Sequence, residues 1–180
     1  MRRLCTFTGD RRGASAVEFA MIAPLMLLFY FGLTELCQAL LTERRVNHVA
    51  AAVGDLITQK EEITANEISD VFIIGSIVLK PFPQAPLEVV TTHVTANAQG
   101  TPIIDWSKGY GGASAKSKGG TVTLPAELTL NEKDSLLVTE AEYKYDSPFG
   151  FFVPQGITFK EISYLRPRRS AAVTCLNNCA

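Results

Sequence analysis

Histidine is almost missing from this chain: His48 and His93 are the two among 180 residues. Two imidazoles cannot build a His-rich metal site, and neither a nucleophile elbow nor a metalloprotease helix motif occurs. No enzymatic activity, no metal and no cofactor are therefore expected. An excess of one charge is missing too. Seventeen basic residues against eighteen acidic ones leave a formal charge of −1, which gives no electrostatic footprint for nucleic acid. Cysteine is sparse, with four residues. A second apolar run long enough to cross a membrane is also lacking, so the length leaves room for one membrane segment and one modest domain.

What the chain does have is apolar surface near its start. Apolar residues make up 47% of it and the mean hydropathy is +0.14, with the excess concentrated before Thr42. The uninterrupted run over residues 19–33 is fifteen residues, short of the ~20 needed to span a bilayer. Extended over residues 14–41 it reaches 28 residues, about 42 Å of helix, enough for the ~30 Å hydrocarbon core with some tilt. Pro24 is expected to kink this helix or remove one of its hydrogen bonds. Arg2, Arg3, Arg11 and Arg12 precede the span, and the positive-inside rule then puts the N-terminus in the cytoplasm. A conventional secretory signal fits poorly, because Glu35 and Gln38 spoil the weak site at Cys37-Gln38-Ala39. A lipoprotein signal would need a small residue where Leu36 stands.

Two carboxylates interrupt the span. Glu18 and Glu35 lie 17 residues apart, about 25 Å along a helix, so both are expected near the edges of the hydrocarbon. Glu35 reads as an interfacial residue that snorkels outward with no special role. Glu18 is different. A carboxylate in the hydrocarbon region costs about 2.5–3.5 kcal/mol even on the lenient insertion scale, so it is a functional candidate by default. It stands five residues after a glycine that closes a basic leader, in Arg11-Arg12-Gly13-Ala14-Ser15-Ala16-Val17-Glu18-Phe19.

Gly, four residues, Glu and an aromatic resembles the processing site of pilins in the tight-adherence (Flp) branch of the type IV pili. The longer stretch through Ala20…Ala23-Pro24-Leu25 is similar to the TadE-like minor pseudopilins of that system, and Tyr164-Leu165-Arg166-Pro167-Arg168 resembles, more weakly, the end of such proteins. The resemblance implies cleavage by a prepilin peptidase between Gly13 and Ala14, with the new amine then paired to Glu18 of a neighbour during assembly. It implies other minor and major pilins and the inner-membrane assembly platform as partners. Phe19 stands where the major pilins usually carry tyrosine, and the chain is longer than they are, which points to a minor component. Losing residues 1–13 removes four arginines and Asp10, a net +3, and leaves a mature charge of −4. An acidic domain of this kind argues against phosphate backbones or anionic lipid as ligands.

Beyond the span, Val46, Val49, Ala50, Val53, Leu56 and Ile57 recur at helical spacing while Arg44, Arg45, Asn47, His48 and Asp55 take the other side. An amphipathic extension over 42–58 is therefore expected to carry the rest of the chain on its apolar stripe, with His48 solvated. Thr64-Ala65-Asn66-Glu67 is a capping box, with Ile63 and Ile68 placed as a hydrophobic staple. It opens a second helix over 64–80 that Pro81, Pro83 and Pro86 forbid to continue. Its clusters Phe72-Ile73-Ile74 and Ile77-Val78-Leu79 read as core.

The period then switches towards two over a β-rich region, 87–174. Strands are expected at 87–95, 101–106, 135–145 and 157–165, with turns at Asn97-Ala98-Gln99-Gly100 and over 148–154. Trp106 is expected to pack in the first hairpin. The glycine-rich stretch 109–120 reads as a mobile loop. It is similar to a phosphate loop only superficially, because Ala115 precedes Lys116-Ser117 where a glycine is needed. Glu140 and Glu142, beside Lys144, read as solvated sheet surface.

Cys175 and Cys179 close the chain around Asn177-Asn178, which suits a turn. A disulfide between them is preferred to free thiols if this end is periplasmic. A metal there is disfavoured without a histidine or a second cysteine pair.

The expected architecture is α+β: a leader over 1–13, a membrane helix over 14–41 and a periplasmic domain over 42–180 with an antiparallel sheet. The expected role is a single-pass inner-membrane minor pilin that helps initiate or cap a tight-adherence pilus, with its final place, membrane or extracellular filament, left open by the sequence. The alternatives are a signal-anchored periplasmic interaction domain and a pilus-tip adhesin.

Overall fold

The protein, a computed structural model, is described at residues 12–147, 150, 155–177 and 179. The leader residues 1–11, with Cys5, and most of the expected turn over 148–154 lie outside the described residues. The architecture is α+β, as the sequence led us to expect: a long N-terminal apolar helix followed by an antiparallel four-stranded sheet.

Helix α1 runs Arg12–Thr58, unbroken through Pro24. Its two halves differ in what they touch. Residues 13–34 are exposed or half-exposed throughout, and Glu35 is the first buried position. Buried positions then recur at Ala39, Thr42, Val46, Val49, Ala50, Val53 and Ile57, the three- and four-residue spacing of one helix face. Arg44, Asn47 and His48 on the other side are exposed.

Helix α2, Ala65–Ile77, is started by the capping box. The Thr64 amide donates to Glu67 Oε2 at 2.8 Å and the Glu67 amide to Thr64 Oγ1 at 3.3 Å. Ile63 and Ile68 are fully buried on either side of it. Gly75 lets α2 press on α1, since a Cβ there would lie 2.5 Å from Val53 Cγ2. The Arg45 guanidinium donates to the Val78 carbonyl at 2.9 Å, satisfying an end carbonyl that the stopped helix leaves over. One expectation fails here. Ile73, Ile74 and Ile77 are about half exposed, because only the stripe through Ile68, Val71, Phe72 and Gly75 can face α1. Residues one and two after Phe72 are turned by about 100° and 200° from it.

The sheet order is β3-β2-β4-β5, with β2 Leu87–Ala96, β3 Pro102–Tyr110, β4 Ser135–Tyr145 and β5 Ile157–Leu165. The β3 strand outruns the expected 101–106 because Gly109 and Tyr110 still pair with Val90 and Val89. One face, with Leu87, Val89, Trp106, Leu137, Ala141 and Tyr143, joins the helices in the main core. At Gly54 the approach is close: a Cβ would meet Leu165 Cδ1 at 2.9 Å. The opposite face buries Val94, Ala96, Ile104, Leu136 and Val138 under Leu130 and its neighbours Val122 and Leu124. Its remaining part is charged, and Lys116–Glu140 and Lys160–Glu142 pair across it at 2.6 and 2.8 Å.

The glycine-rich stretch is pinned rather than loose. It returns along the outer edge of β3 through Ile104 N–H to Gly120 O and Gly119 N–H to Ile104 O, both 2.8 Å, and the Lys116 amide donates to Ser107 Oγ. Covering this edge satisfies backbone groups that would otherwise invite another strand. A short parallel pair had no counterpart in the sequence reading: β1, Glu62–Thr64, beside β6, Thr174–Leu176.

Candidate functional site

Gly13, Ala14, Glu18 and Phe19 sit on the first turns of α1, clear of the rest of the protein. A Cβ built on Gly13 has no atom within 4 Å, and Phe19 is 72% exposed. Ala14 and Glu18 are one turn apart on the same helix face, about 6 Å along the axis. Among the described residues Glu18 has no hydrogen-bond or ion-pair partner. Its carboxylate therefore lies unpaired on the apolar half of the helix, whose 22 residues from 13 to 34 span about 33 Å, close to the thickness of the hydrocarbon core. Among the described residues this is the one helix long and apolar enough to cross a membrane.

Glu35 overturns its expected role. It is 1% exposed and accepts a hydrogen bond from the Ser147 hydroxyl, at the end of β4. The carboxylate is turned inward because Ser147, just after β4, and Ile157, at the start of β5, lie against α1 at this level, Ile157 lining an apolar groove with Leu36 and Ala39. Tyr145 stands beside it, and burial pushes its phenol up, against the hydrogen bond with Ser147 and with help from the Glu35 charge. Glu35 thus marks where the helix leaves its exposed half and enters the folded domain.

At the far end of the domain, residues 166–177 form a strap over the sheet. The Arg168 amide donates to the Thr58 carbonyl at the end of α1, Arg168 pairs with Asp55 at 2.6 Å, and the Ser135 hydroxyl donates to the Ala171 carbonyl. Both backbone groups of Val173 are held by side chains. Trp106 Nε1 donates to its carbonyl at 2.8 Å and its amide donates to His93 Nε2 at 3.2 Å. An imidazole that accepts at Nε2 carries its proton on Nδ1, and Nδ1 donates to Asp105 Oδ2 at 2.8 Å. Thr95 donates to the same oxygen at 2.6 Å. Burial works to raise the Asp105 carboxyl, but the hydrogen bonds from His93 and Thr95 outweigh it and hold the group below its ordinary range. His93 is 1% exposed and stacks on Trp106 at 5.7 Å. Beyond this clamp Cys175 and Cys179 are joined in a disulfide. Cys37 is free and exposed on α1.

The residues expected to serve processing and assembly and the cysteine pair are thus at opposite ends of the molecule. Two features escaped the sequence reading, the Glu35–Ser147 bond and the Val173 clamp. The one available signal for the clamp was His93 itself, a lone imidazole between Thr91 and Thr95 in a Val/Thr strand. Among the described residues no group of three or more His, Cys, Asp or Glu is placed to hold a metal.

Residues 13–55 match the family model of TadE-like protein. The segment so matched takes in Gly13, Glu18 and nearly all of α1, and it places a TadE-like region at the head of the chain. A TadE-like region associates a chain with the Tad pilus. The match stops before the sheet. Comparison with curated proteins and with solved structures finds no match.

Proposed function

We propose that this chain is a minor pilin of a tight-adherence pilus, cleaved by a prepilin peptidase between Gly13 and Ala14 and helping to initiate or cap the filament. The observation that carries the reading is the placement of Gly13 and Glu18 within the TadE-like segment. The glycine is open to a protease, and the carboxylate lies one turn from the amine that cleavage would create, with no partner in its own subunit among the described residues. Before assembly each subunit holds an unpaired charge against hydrocarbon. A neighbour displaced along the filament offers the opposite charge, and assembly removes both penalties. The exposed half of α1 is the membrane anchor and the filament core, with its N-terminus in the cytoplasm and the sheet domain in the periplasm. The chain itself catalyses nothing in this scheme; its partners are the peptidase, the other pilins and the inner-membrane platform.

Glu18→Ala tests the scheme in cells that depend on this subunit for pili. The variant is expected to be inserted, cleaved and stable, because removing the carboxylate eases insertion, yet to fail in complementing pilus formation. Normal piliation by that variant would remove the pairing and favour a signal-anchored interaction domain that never enters a filament. Ligand capture by the purified domain, with normal piliation, would instead favour a tip adhesin.

A further inference from the structure

The described cavities, charged clusters and apolar patches differ in how far they are already accounted for. The groove beside Leu36 belongs to the exposed-half face of α1, Glu140 and Glu142 of the outer sheet face are paired with lysines, and none of the described residues covers the isoleucines of α2. The clamp on Val173 is different, because a titratable group holds a backbone amide in a fully buried position.

We propose that His93 is an acid-sensitive latch on the C-terminal strap: a proton on Nε2 turns the acceptor of the Val173 amide into a donor and releases residues 171–176 from the sheet. The geometry leaves little alternative. Neutral His93 uses both ring nitrogens, Nδ1 as donor to Asp105 and Nε2 as acceptor from Val173. An imidazolium has two donors and no acceptor, so protonation sets two N–H groups against each other at a side chain only 1% exposed. Something must move. The Asp105 side lacks a reason to, since its carboxylate stands 2.8 Å from Nδ1 and attracts the cation more strongly than the neutral ring. Ring movement is opposed by the stacking on Trp106. The strap is what remains.

Among the described residues that line the adjacent cavity, the strap supplies no charge. Around the cavity next to the clamp, of about 390 Å³, the charged groups are Asp105 and Lys118, both from β3 and the segment after it. Across the sheet β4 places Leu137 opposite His93. The strap contributes Ala172, Val173 and Thr174, and the cystine of Cys175 and Cys179 does not titrate. Lys118 lies beyond the carboxylate and acts on Asp105. The hinges are equally plain: Arg168 stays tied to Thr58 and Asp55 at one end, and the disulfide keeps the other end a closed ring. Release is therefore local, and it uncovers Trp106 and the β1 edge that β6 occupies.

The chain has one tryptophan, so Trp106 reports directly on the latch. In detergent micelles the full chain is taken from about pH 8 to about pH 5, across the ordinary histidine range, and acrylamide quenching of Trp106 is measured with hydrogen exchange at the Val173 amide. Quenching is expected to rise and Val173 protection to fall at least tenfold after correction for intrinsic exchange. His93→Gln offers a carbonyl to Val173 and an amide to Asp105 without titrating, and is expected to hold the strap closed throughout. Equal opening in wild type and His93→Gln, or opening in neither, overturns the latch. If His93→Gln already exposes Trp106 at about pH 8, nitrogen NMR of His93 in the wild type decides. Its titration must coincide with Trp106 exposure; titration without exposure, or exposure at another pH, overturns the proposal.

Discussion

Ser147 donates its hydroxyl proton to the Glu35 carboxylate, 112 residues away in sequence, and so ties the end of β4 to α1 at the residue where burial begins. A carboxylate expected to reach for water is instead an anchor for the domain. The two views predict different mutants. Glu35→Ala removes a charged acceptor and leaves Ser147 without it, which costs about 1–3 kcal/mol. Thermal unfolding in detergent should show that loss, with faster protease cleavage between β4 and β5. Glu35→Gln should recover part of it. An unchanged Glu35→Ala would restore the interfacial reading.

The contact of Gly75 with Val53 sets how closely α2 lies on α1. Gly75→Ala gains helix propensity of roughly 0.5–1 kcal/mol but forces a methyl into a space 2.5 Å from Val53 Cγ2. Overpacking of this kind costs typically 1–3 kcal/mol, so net destabilisation is expected. Val53→Ala in the same chain should relieve it. Chemical denaturation of the two single variants and the double variant measures the coupling, and strict additivity would count against the contact.

The capping box gives a pH dependence of known sign. The hydrogen bond from Lys60 first, then those from the Thr64 amide and hydroxyl, hold the Glu67 carboxyl at about 2, below its ordinary 4.5. A carboxyl lowered in the folded state stabilises it above the ordinary value and loses that contribution as pH falls from 4.5 through 2. Protection of the first-turn amides of α2 should therefore weaken over that window, less so at high salt because the pair is exposed. Glu67→Gln keeps a capping side chain without the titration and should flatten the profile. The same pH dependence in the variant would mean that another group is responsible.

Cys175 and Cys179 close a ring of few residues, so the chain-entropy model gives their bond less than the roughly 3 kcal/mol of a fifteen-residue loop. Thiol labelling of the denatured, unreduced protein from an oxidising compartment should modify Cys37 and neither C-terminal cysteine. Labelling of both would place free thiols there.

Much of the fold was legible because it is built from local signals. The apolar stripe from Val46 to Ile57, the Thr64–Glu67 box and the alternation over 135–145 and 157–165 each specify their element within a few turns or pleats. What escaped depends on contacts across the chain. Strands β1 and β6 have three residues each, too few for a period, and pair over more than a hundred positions. Glu35 and Ile73 were misplaced for the same reason: whether a helix position is covered depends on what returns to it. Residue 147 returns to Glu35, and nothing described returns to Ile73. The candidate assembly site rests on a resemblance whose signal is local, the Gly13 to Glu18 spacing on one helix. The Val173 clamp was not, since its acceptor and donors come from three separate segments.

The central claim is that this chain is a pilin, and cleavage is its most direct test. The protein is expressed with an active prepilin peptidase, extracted from membranes, and its intact mass and N-terminus determined. The account predicts a chain that begins at Ala14, with residues 1–13 removed. A chain still beginning at Met1, in cells where the same peptidase processes another pilin, would contradict it.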